Sequence, residues 1–395
     1  MNIIFSVPSG FHARELLVPL KPLLDADTSI NHVYCLTPGA PFRQELFSDY
    51  GDKFTFIANP LDEAGLKKLI SELAPDIVVT NTSGLDLHDT PLLKATQVLN
   101  IPTLTFIASW DNVWKMERFQ NAGQPFLLAD RLIVWNEMMS EHLKRIFPEL
   151  NEKRISIIGA PRLDFFFHQD KIPNKKQLLA YLDLPDNDAK LIHFATTELY
   201  PLEYVIKTIV EAQRKGAIKH KLHLYASVHP GGDIGKHRQY ADKYHVTVRY
   251  SFGRRSIISH PSWQYNPTPE EIYMLVALFK HSNLLINHSS TVAIESFLGD
   301  TPVINVKYGQ PLDWWRWYRS MVYRDFKQHY RDVITNQATK VVHNSHQLIA
   351  AVCDYLDHPE HDQQNRLATL KKMITTTDGT ASKKVLDIIK NTAKS

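Results

Sequence analysis

The sequence predicts an α/β protein: two doubly wound, Rossmann-like domains with a helical C-terminal tail. Three observations predict it. Short apolar runs of strand length alternate with helical stretches along most of the 395 residues. The runs are continuous in Ile, Val and Leu, as expected of parallel strands buried on both faces. The alternation pauses around Gly159-Ala160-Pro161 and then restarts, and a chain of this length suits two or three domains. We expect an N-terminal domain over 1–165, a second over 166–375, and a closing helix over 376–395 packing back on the first.

In the first half, Ile3 to Val7 is an apolar strand ending in the Pro8-Ser9-Gly10 turn. Ala13 to Leu24 reads as helical, with Pro19 and Pro22 expected to break or kink it. Val33 to Leu36 is the second strand. Leu61 to Leu73 carries Leu66, Leu69, Ile70 and Leu73 at helical spacing. Asp76 to Thr80, Pro102 to Ile107, Arg131 to Trp135 and Arg154 to Ile158 are further strands. Asp164 to Lys190, with Pro173, Lys175-Lys176 and Pro185, reads as a connection between domains.

The second half repeats the theme. Lys190 to Ala195, Lys221 to Val228 and Val246 to Tyr250 are strands, with a helix from Leu202 to Lys215. The clearest unit runs from Glu270 to Val306: a helix to Ser282, a strand Asn283 to Asn287, the turn His288-Ser289-Ser290, and a helix Thr291 to Leu298. Gly299 is expected to stop that helix as its cap before a strand from Thr301 to Val306. Such βαβ units are right-handed and build doubly wound sheets. From Ser345 onward the chain reads as helices.

Composition excludes several classes. A net charge of +3 is too small for a nucleic-acid binder. Two cysteines, Cys35 and Cys353, make neither a disulfide framework nor a zinc pattern. No stretch approaches the ~18 apolar residues of a membrane span. The opening Met1 to Pro8 lacks a signal-peptide pattern, so a cytoplasmic location is expected.

The strongest chemical signal is Asn287-His288-Ser289-Ser290-Thr291-Val292-Ala293-Ile294-Glu295. It sets hydroxyls and backbone N–H groups at a helix start directly after a strand, where phosphate binds well. Glu295, one turn in, is placed to accept hydrogen bonds from a ribose diol. The plainer alternative makes Ser290 a helix cap and Glu295 an ordinary exposed residue.

His288 to Glu295, followed by Leu298-Gly299-Asp300-Thr301-Pro302-Val303-Ile304, resembles the donor motif of GT-B glycosyltransferases. Ile157 to Asp164, Ser227-Val228-His229-Pro230 and Asp378-Gly379-Thr380-Ala381-Ser382 are similar to segments of the same superfamily. The likeness is strongest to bacterial surface-polysaccharide and CDP-glycerol glycerophosphotransferase-like members, and Ser109-Trp110-Asp111-Asn112 also looks like a polysaccharide-protein motif. The resemblance implies two Rossmann-like domains facing across a cleft (GT-B), with a nucleotide-binding C-terminal domain in which Ser289, Ser290 and Thr291 contact the diphosphate and Glu295 the ribose. It also implies that His229 donates to phosphate, the plainer alternative being a satisfied loop histidine. Arg254 and Arg255, in a Gly-Arg-Arg loop, suit phosphate charge or, more plainly, a solvated face. Related glycerophosphotransferases show an Asp-Tyr-Ser-Ser type of turn, which this chain replaces with Asn287-His288-Ser289-Ser290.

Inverting transfer needs a base for the acceptor hydroxyl and electrostatic stabilisation of the leaving diphosphate. His12 and Asp111 are the candidates in the acceptor domain, with Glu137 a third. Asp111 also stands where a helix cap would. Asp86-Leu87-His88-Asp89 is superficially metal-like but reads as a turn and cap. No metal or cofactor is expected, the nucleotide-sugar serving as co-substrate.

Trp314-Trp315-Arg316-Trp317-Tyr318-Arg319, continuing to Arg324, suits a membrane headgroup layer, a lipid-linked acceptor or glycan stacking. A helix packing its aromatics inward is the plainer reading. The expected function is a metal-independent glycosyltransferase moving a sugar to a glycan or lipid-linked acceptor in surface polysaccharide assembly. The alternatives are a CDP-polyol phosphotransferase, a nucleotide-sugar 2-epimerase and a non-catalytic nucleotide-sugar-binding partner.

Overall fold

The computed structural model describes residues 1–37, 50–60, 62–84, 87–124, 126–197, 199–229, 232–251, 267–311 and 313–394. The chain forms two compact units, the first from Met1–Phe167 with Lys372–Ser395, the second from His168–Arg254 with Thr268–Lys371.

The first unit holds a seven-stranded parallel sheet in the order β3-β2-β1-β4-β5-β6-β7. Its strands are β1 (Asn2–Ser6), β2 (His32–Thr37), β3 (Phe54–Ala58), β4 (Ile77–Thr82), β5 (Thr103–Ile107), β6 (Arg131–Val134) and β7 (Ile155–Ile157). Ile4 on β1, Leu36 on β2 and Val78 on β4 meet Leu66 and Ile70 from the helix Glu63–Leu73, and Leu92 and Ala95 from Thr90–Leu99. Each such aliphatic side chain gives about 1.5–3 kcal/mol on burial, which outweighs the small propensity cost of a β-branched residue in a helix. Asp62 starts the first of these helices by accepting from Gly65 N at 2.8 Å.

The second unit repeats the pattern with six parallel strands in the order β10-β9-β8-β11-β12-β13. These are β8 (Lys190–Ala195), β9 (Leu222–Val228), β10 (Thr247–Tyr250), β11 (Leu284–Asn287), β12 (Val303–Val306) and β13 (Lys340–Val342). Ile192, Phe194, Ile286 and Ile304 pack on one side against Ile206 and Ile209 of the helix Glu203–Arg214. Leu191 and Tyr225 pack on the other against Leu178 and Leu278. The helix Pro269–His281 opens with proline in its first turn and a reciprocal Thr268–Glu271 capping box. Because the strands within each sheet are parallel, their carboxyl ends share one edge of that sheet, and strand order reverses at β1/β4 in the first and at β8/β11 in the second. Those two points are where open α/β sheets take ligands.

Several local expectations needed revision. Of the break or kink expected from Pro19 and Pro22, the break is absent: Gly10–His12, a π-helical turn Ala13–Leu17 and Val18–Ala26 run on without a gap. Pro19 stands in the first turn of Val18–Ala26 directly after the π segment, and Pro22 stands inside that helix. The connection from Asp164 to Lys190 carries a helix of its own, Lys175–Tyr181, with buried Leu178 and Leu179. Gly299 does cap the helix Val292–Leu298 as expected, but with right-handed backbone (φ −80°), the left-handed residue being Asp300 (φ 56°). Glycine is required at 299 by closeness instead: a Cβ there would stand 2.4 Å from the Phe279 carbonyl oxygen.

The tail joins the first unit through the two motifs at 157–164 and 378–382. Asp164 accepts from the backbone N–H groups of Ala381 (3.1 Å) and Ser382 (2.7 Å), fixing the start of the helix Ala381–Thr392. Gly159 is left-handed (φ 106°), and a Cβ would lie 3.1 Å from Thr376 N. Gly379 (φ 76°) faces Phe167, 2.8 Å from where a Cβ would stand. Lys390 closes the far end of the helix on Asp27 at 2.6 Å.

Candidate active site

In the second unit, the turn after β11 lies at the carboxyl end of a strand flanking the reversal. Its first residues are anchored inward. Asn305 on β12 donates to Asn287 Oδ1 (2.7 Å) and to the His288 carbonyl (2.9 Å). The buried His288 ring sits between two carbonyl oxygens, Val306 O at 2.8 Å from Nδ1 and Pro201 O at 3.3 Å from Nε2. Burial lowers its pKa, outweighing the two carbonyls that favour the charged ring. Tyr200 and Trp317 pack on it edge-on and tilted, 5.6 and 5.4 Å between ring centres.

The next three residues are less enclosed. Ser289, Ser290 and Thr291 are half-buried. Ser289 Oγ reaches the Val322 carbonyl at 3.3 Å. Thr291 occupies the cap position of the helix Val292–Leu298 without a side-chain cap bond, and Ser290 Oγ is a long 3.5 Å from Val292 N. So the turn carries hydroxyls that no strong capping bond occupies. Glu295 is buried rather than an ordinary exposed residue. His229 is exposed at the carboxyl end of β9, on the same sheet edge. Arg254 and Arg255, like Pro230 and Gly231, lie outside the described residues.

In the first unit the expected base candidates stand at the corresponding edge. His12 is buried in the helix after β1, its Nδ1 2.7 Å from Ser9 Oγ, and Asn81 of β4 donates to its carbonyl. Asp111 stands at the cap position of Asn112–Asn121 without a side-chain cap bond and pairs instead with Lys115 at 2.7 Å. Asn112, next to it, reaches the Thr82 carbonyl at 3.3 Å. Glu137 is exposed in the first turn after β6.

The neighbourhood of His12 contains more than the sequence indicated. The His88 ring lies edge-on to it, 5.4 Å between centres. His88 Nε2 is 3.3 Å from Asp89 Oδ2, and Asp89 Oδ1 accepts from Ser6 Oγ at 2.6 Å. Asp89 does occupy a helix cap position but makes no cap bond, because its carboxylate serves Ser6 and His88. Asp86 lies outside the described residues. The signal available in sequence was the His88-Asp89 pair after β4, whose partner Ser6 is 83 residues away.

The aromatic segment divides into helices Trp314–Arg319 and Met321–Asp325. Trp317 is buried against His288, while Trp315 and Tyr318 are 52% and 55% exposed. The Arg319 guanidinium lies over the Trp315 ring at 5.8 Å.

Two parallel Rossmann-like sheets in one chain, each reversing order beside a hydroxyl- and histidine-bearing edge, make a GT-B type of fold. The chain belongs to the CDP-glycerol:poly(glycerophosphate) glycerophosphotransferase family, whose model matches residues 109–391. It is similar to a UDP-GlcNAc 2-epimerase from Neisseria meningitidis, solved with UDP-GlcNAc, at 13% identity and TM-score 0.66 over 99% of this chain and 100% of that one. The wall teichoic acid polymerase TagF is similar at 14% identity and TM-score 0.61, covering 100% of this chain and 89% of that one. A glycosyltransferase from Rickettsia africae is similar at 17% identity and TM-score 0.57, covering 100% and 98%. At these identities the likeness to the solved structures shows the fold. No curated protein matches the sequence. No described helix is long and apolar enough to cross a membrane.

Proposed function

We propose that this enzyme transfers the activated group of a nucleotide donor, a nucleotide sugar, onto a glycan or lipid-linked hydroxyl acceptor in bacterial surface-polysaccharide assembly. The observation that carries the reading is the Ser289-Ser290-Thr291 turn, half-exposed beside the β8/β11 reversal and lacking a strong capping bond. There the hydroxyls and the helix start bind the diphosphate, Glu295 takes the ribose, and His229 and Arg254 contribute donors to the leaving group. In the first unit, His12 takes the acceptor proton as the hydroxyl attacks the anomeric carbon and the nucleoside diphosphate departs. Asp111, tied to Lys115, supports charge near that step. The protein works without a metal at this site and in the cytoplasm.

Family membership favours a second reading on the same residues, a CDP-polyol donor. The hydroxyl then attacks the β-phosphorus and CMP leaves. The structure of TagF soaked with CDPG and the MnaA–UDP structure are neighbours consistent with either nucleotide. Incubation with UDP-, GDP-, CMP- and CDP-linked donors separates the readings. Turnover that requires an acceptor supports transfer, epimer formation without acceptor supports an isomerase, and binding without turnover would exclude an enzyme.

The exposed Trp315 and Tyr318, flanked by Arg316, Arg319 and Arg324, support contact with an anionic membrane face. Flotation with phosphatidylglycerol liposomes tests this. Trp315→Ala/Tyr318→Ala should reduce binding, and equal flotation of variant and wild type would exclude it. Trp317 is unsuitable for this test because it packs against His288.

A further inference from the structure

Among the described residues, one group of side chains brings three metal-ligating atoms together. His358, Glu360 and His361 each offer one such atom, and the three lie within 4.8 Å of one another. We propose that the loop between the helices Ser345–Asp357 and Gln363–Met373 is a surface site for a divalent transition cation of the zinc type.

The backbone of this loop is held from beneath. Arg366 has a buried guanidinium that donates to the carbonyls of His361 (2.7 Å) and Pro359 (3.0 Å). His358 N–H donates to Asp354 O at 2.7 Å and His361 N–H to His358 O at 3.1 Å. Asp362, left-handed at φ 61°, accepts from Tyr355 Oη at 2.8 Å. The ligands therefore project from a fixed backbone, and only their exposed side chains must turn to close on an ion.

The chemistry of the set selects the cation. Two imidazoles and one carboxylate suit zinc, nickel or copper, whereas magnesium and calcium prefer oxygen ligands. The His358 and His361 rings lie nearly parallel, 4.8 Å apart. His361 Nδ1 is 3.1 Å from both Asp354 oxygens, the carboxylate–histidine arrangement that fixes the tautomer and leaves Nε2 for a metal. Asp354, Asp357, Glu360 and Asp362 give the loop a local negative charge against Lys340 and Arg366. With three protein ligands, the remaining coordination positions go to water.

A bound ion would also reach the rest of the second unit. Arg366 and Gln363 both hold Asp300, at 3.1 and 2.6 Å, just after the helix that begins at the serine turn. Ion binding should therefore register as added stability of this unit.

Calorimetric titration of the full chain with zinc chloride in a non-chelating buffer tests the site. One equivalent should bind, undisturbed by excess magnesium, and raise the melting temperature. His358→Ala/His361→Ala, at exposed positions that leave the fold intact, should abolish that equivalent. Asp354→Asn should weaken it about tenfold by losing the ring's orienting partner. Zinc binding by the double variant with wild-type affinity, or none by the wild type, would overturn the proposal. Neither result bears on nucleotide use.

Discussion

The seam where the tail joins the first unit and the serine turn of the second unit are both built from residues of the family motifs, yet their polar atoms are used differently. At the seam, the Asp164 carboxylate is buried and bonded to two backbone N–H groups, and Gly159 and Gly379 are fixed by close approach to Thr376 and Phe167. At the turn, Asn287 and His288 are tied inward by Asn305, Val306 and Pro201, but the next three hydroxyls stay half-exposed. The first motif is architecture. The second is architecture for two residues, followed by the half-exposed hydroxyls that we propose meet the donor. Sequence likeness alone weighs both equally.

Mutations separate the two regions by which property they change. The largest effect belongs to the seam. Asp164→Ala removes two charge-assisted bonds at a buried site and should cost about 2–4 kcal/mol, read as a lower urea midpoint. An unchanged midpoint would contradict the architectural role.

Acid should come next, acting on the second unit. His193 is buried with Nε2 2.7 Å from Ser227 Oγ, and burial lowers its pKa to about 3. The unfolded imidazole protonates near 6.5 while the folded one does not until about 3, so the unfolded state binds more protons between those values. The stability is thus complete above pH 6.5 and is lost as pH falls, by about 1.4 kcal/mol per pH unit from this group. His288 adds in the same direction. Urea midpoints at pH 7.5 and 5.5 measure this. His193→Gln should flatten the difference, and an unchanged slope in that variant would show that His193 does not contribute.

A smaller effect is expected at Glu295. Glu295→Gln preserves shape and should weaken UDP or CDP binding about fivefold, near 1 kcal/mol, with the urea midpoint little changed. Equal affinity would move the ribose elsewhere. Smallest of all is Lys390→Ala, a partly exposed pair with Asp27, which should cost under about 1 kcal/mol.

The fold was legible wherever burial on both faces wrote continuous apolar runs, as over residues 77–79 and 284–286. It was harder to read where strands were short or mixed. β3, Phe54-Thr55-Phe56-Ile57-Ala58, has only one fully buried residue, and β13 is three residues long. Pro19 and Pro22 suggested an interruption because a π turn cannot be seen in the pattern. The site was legible as local motifs and illegible as contacts. Asp89 meets Ser6 across 83 residues, and His288 meets Pro201 across 87. Such pairings depend on strand order, which periodicity does not encode. For the same reason Asp111 could be placed after a strand but its Lys115 partner could not be preferred over a cap.

Calorimetric titration of Ser289→Ala/Ser290→Ala with UDP and CDP, beside wild type, probes the donor turn itself. The variant should keep its urea midpoint and lose about tenfold in affinity for whichever nucleotide the wild type binds. Wild-type affinity in that variant would mean that the phosphates are held somewhere else.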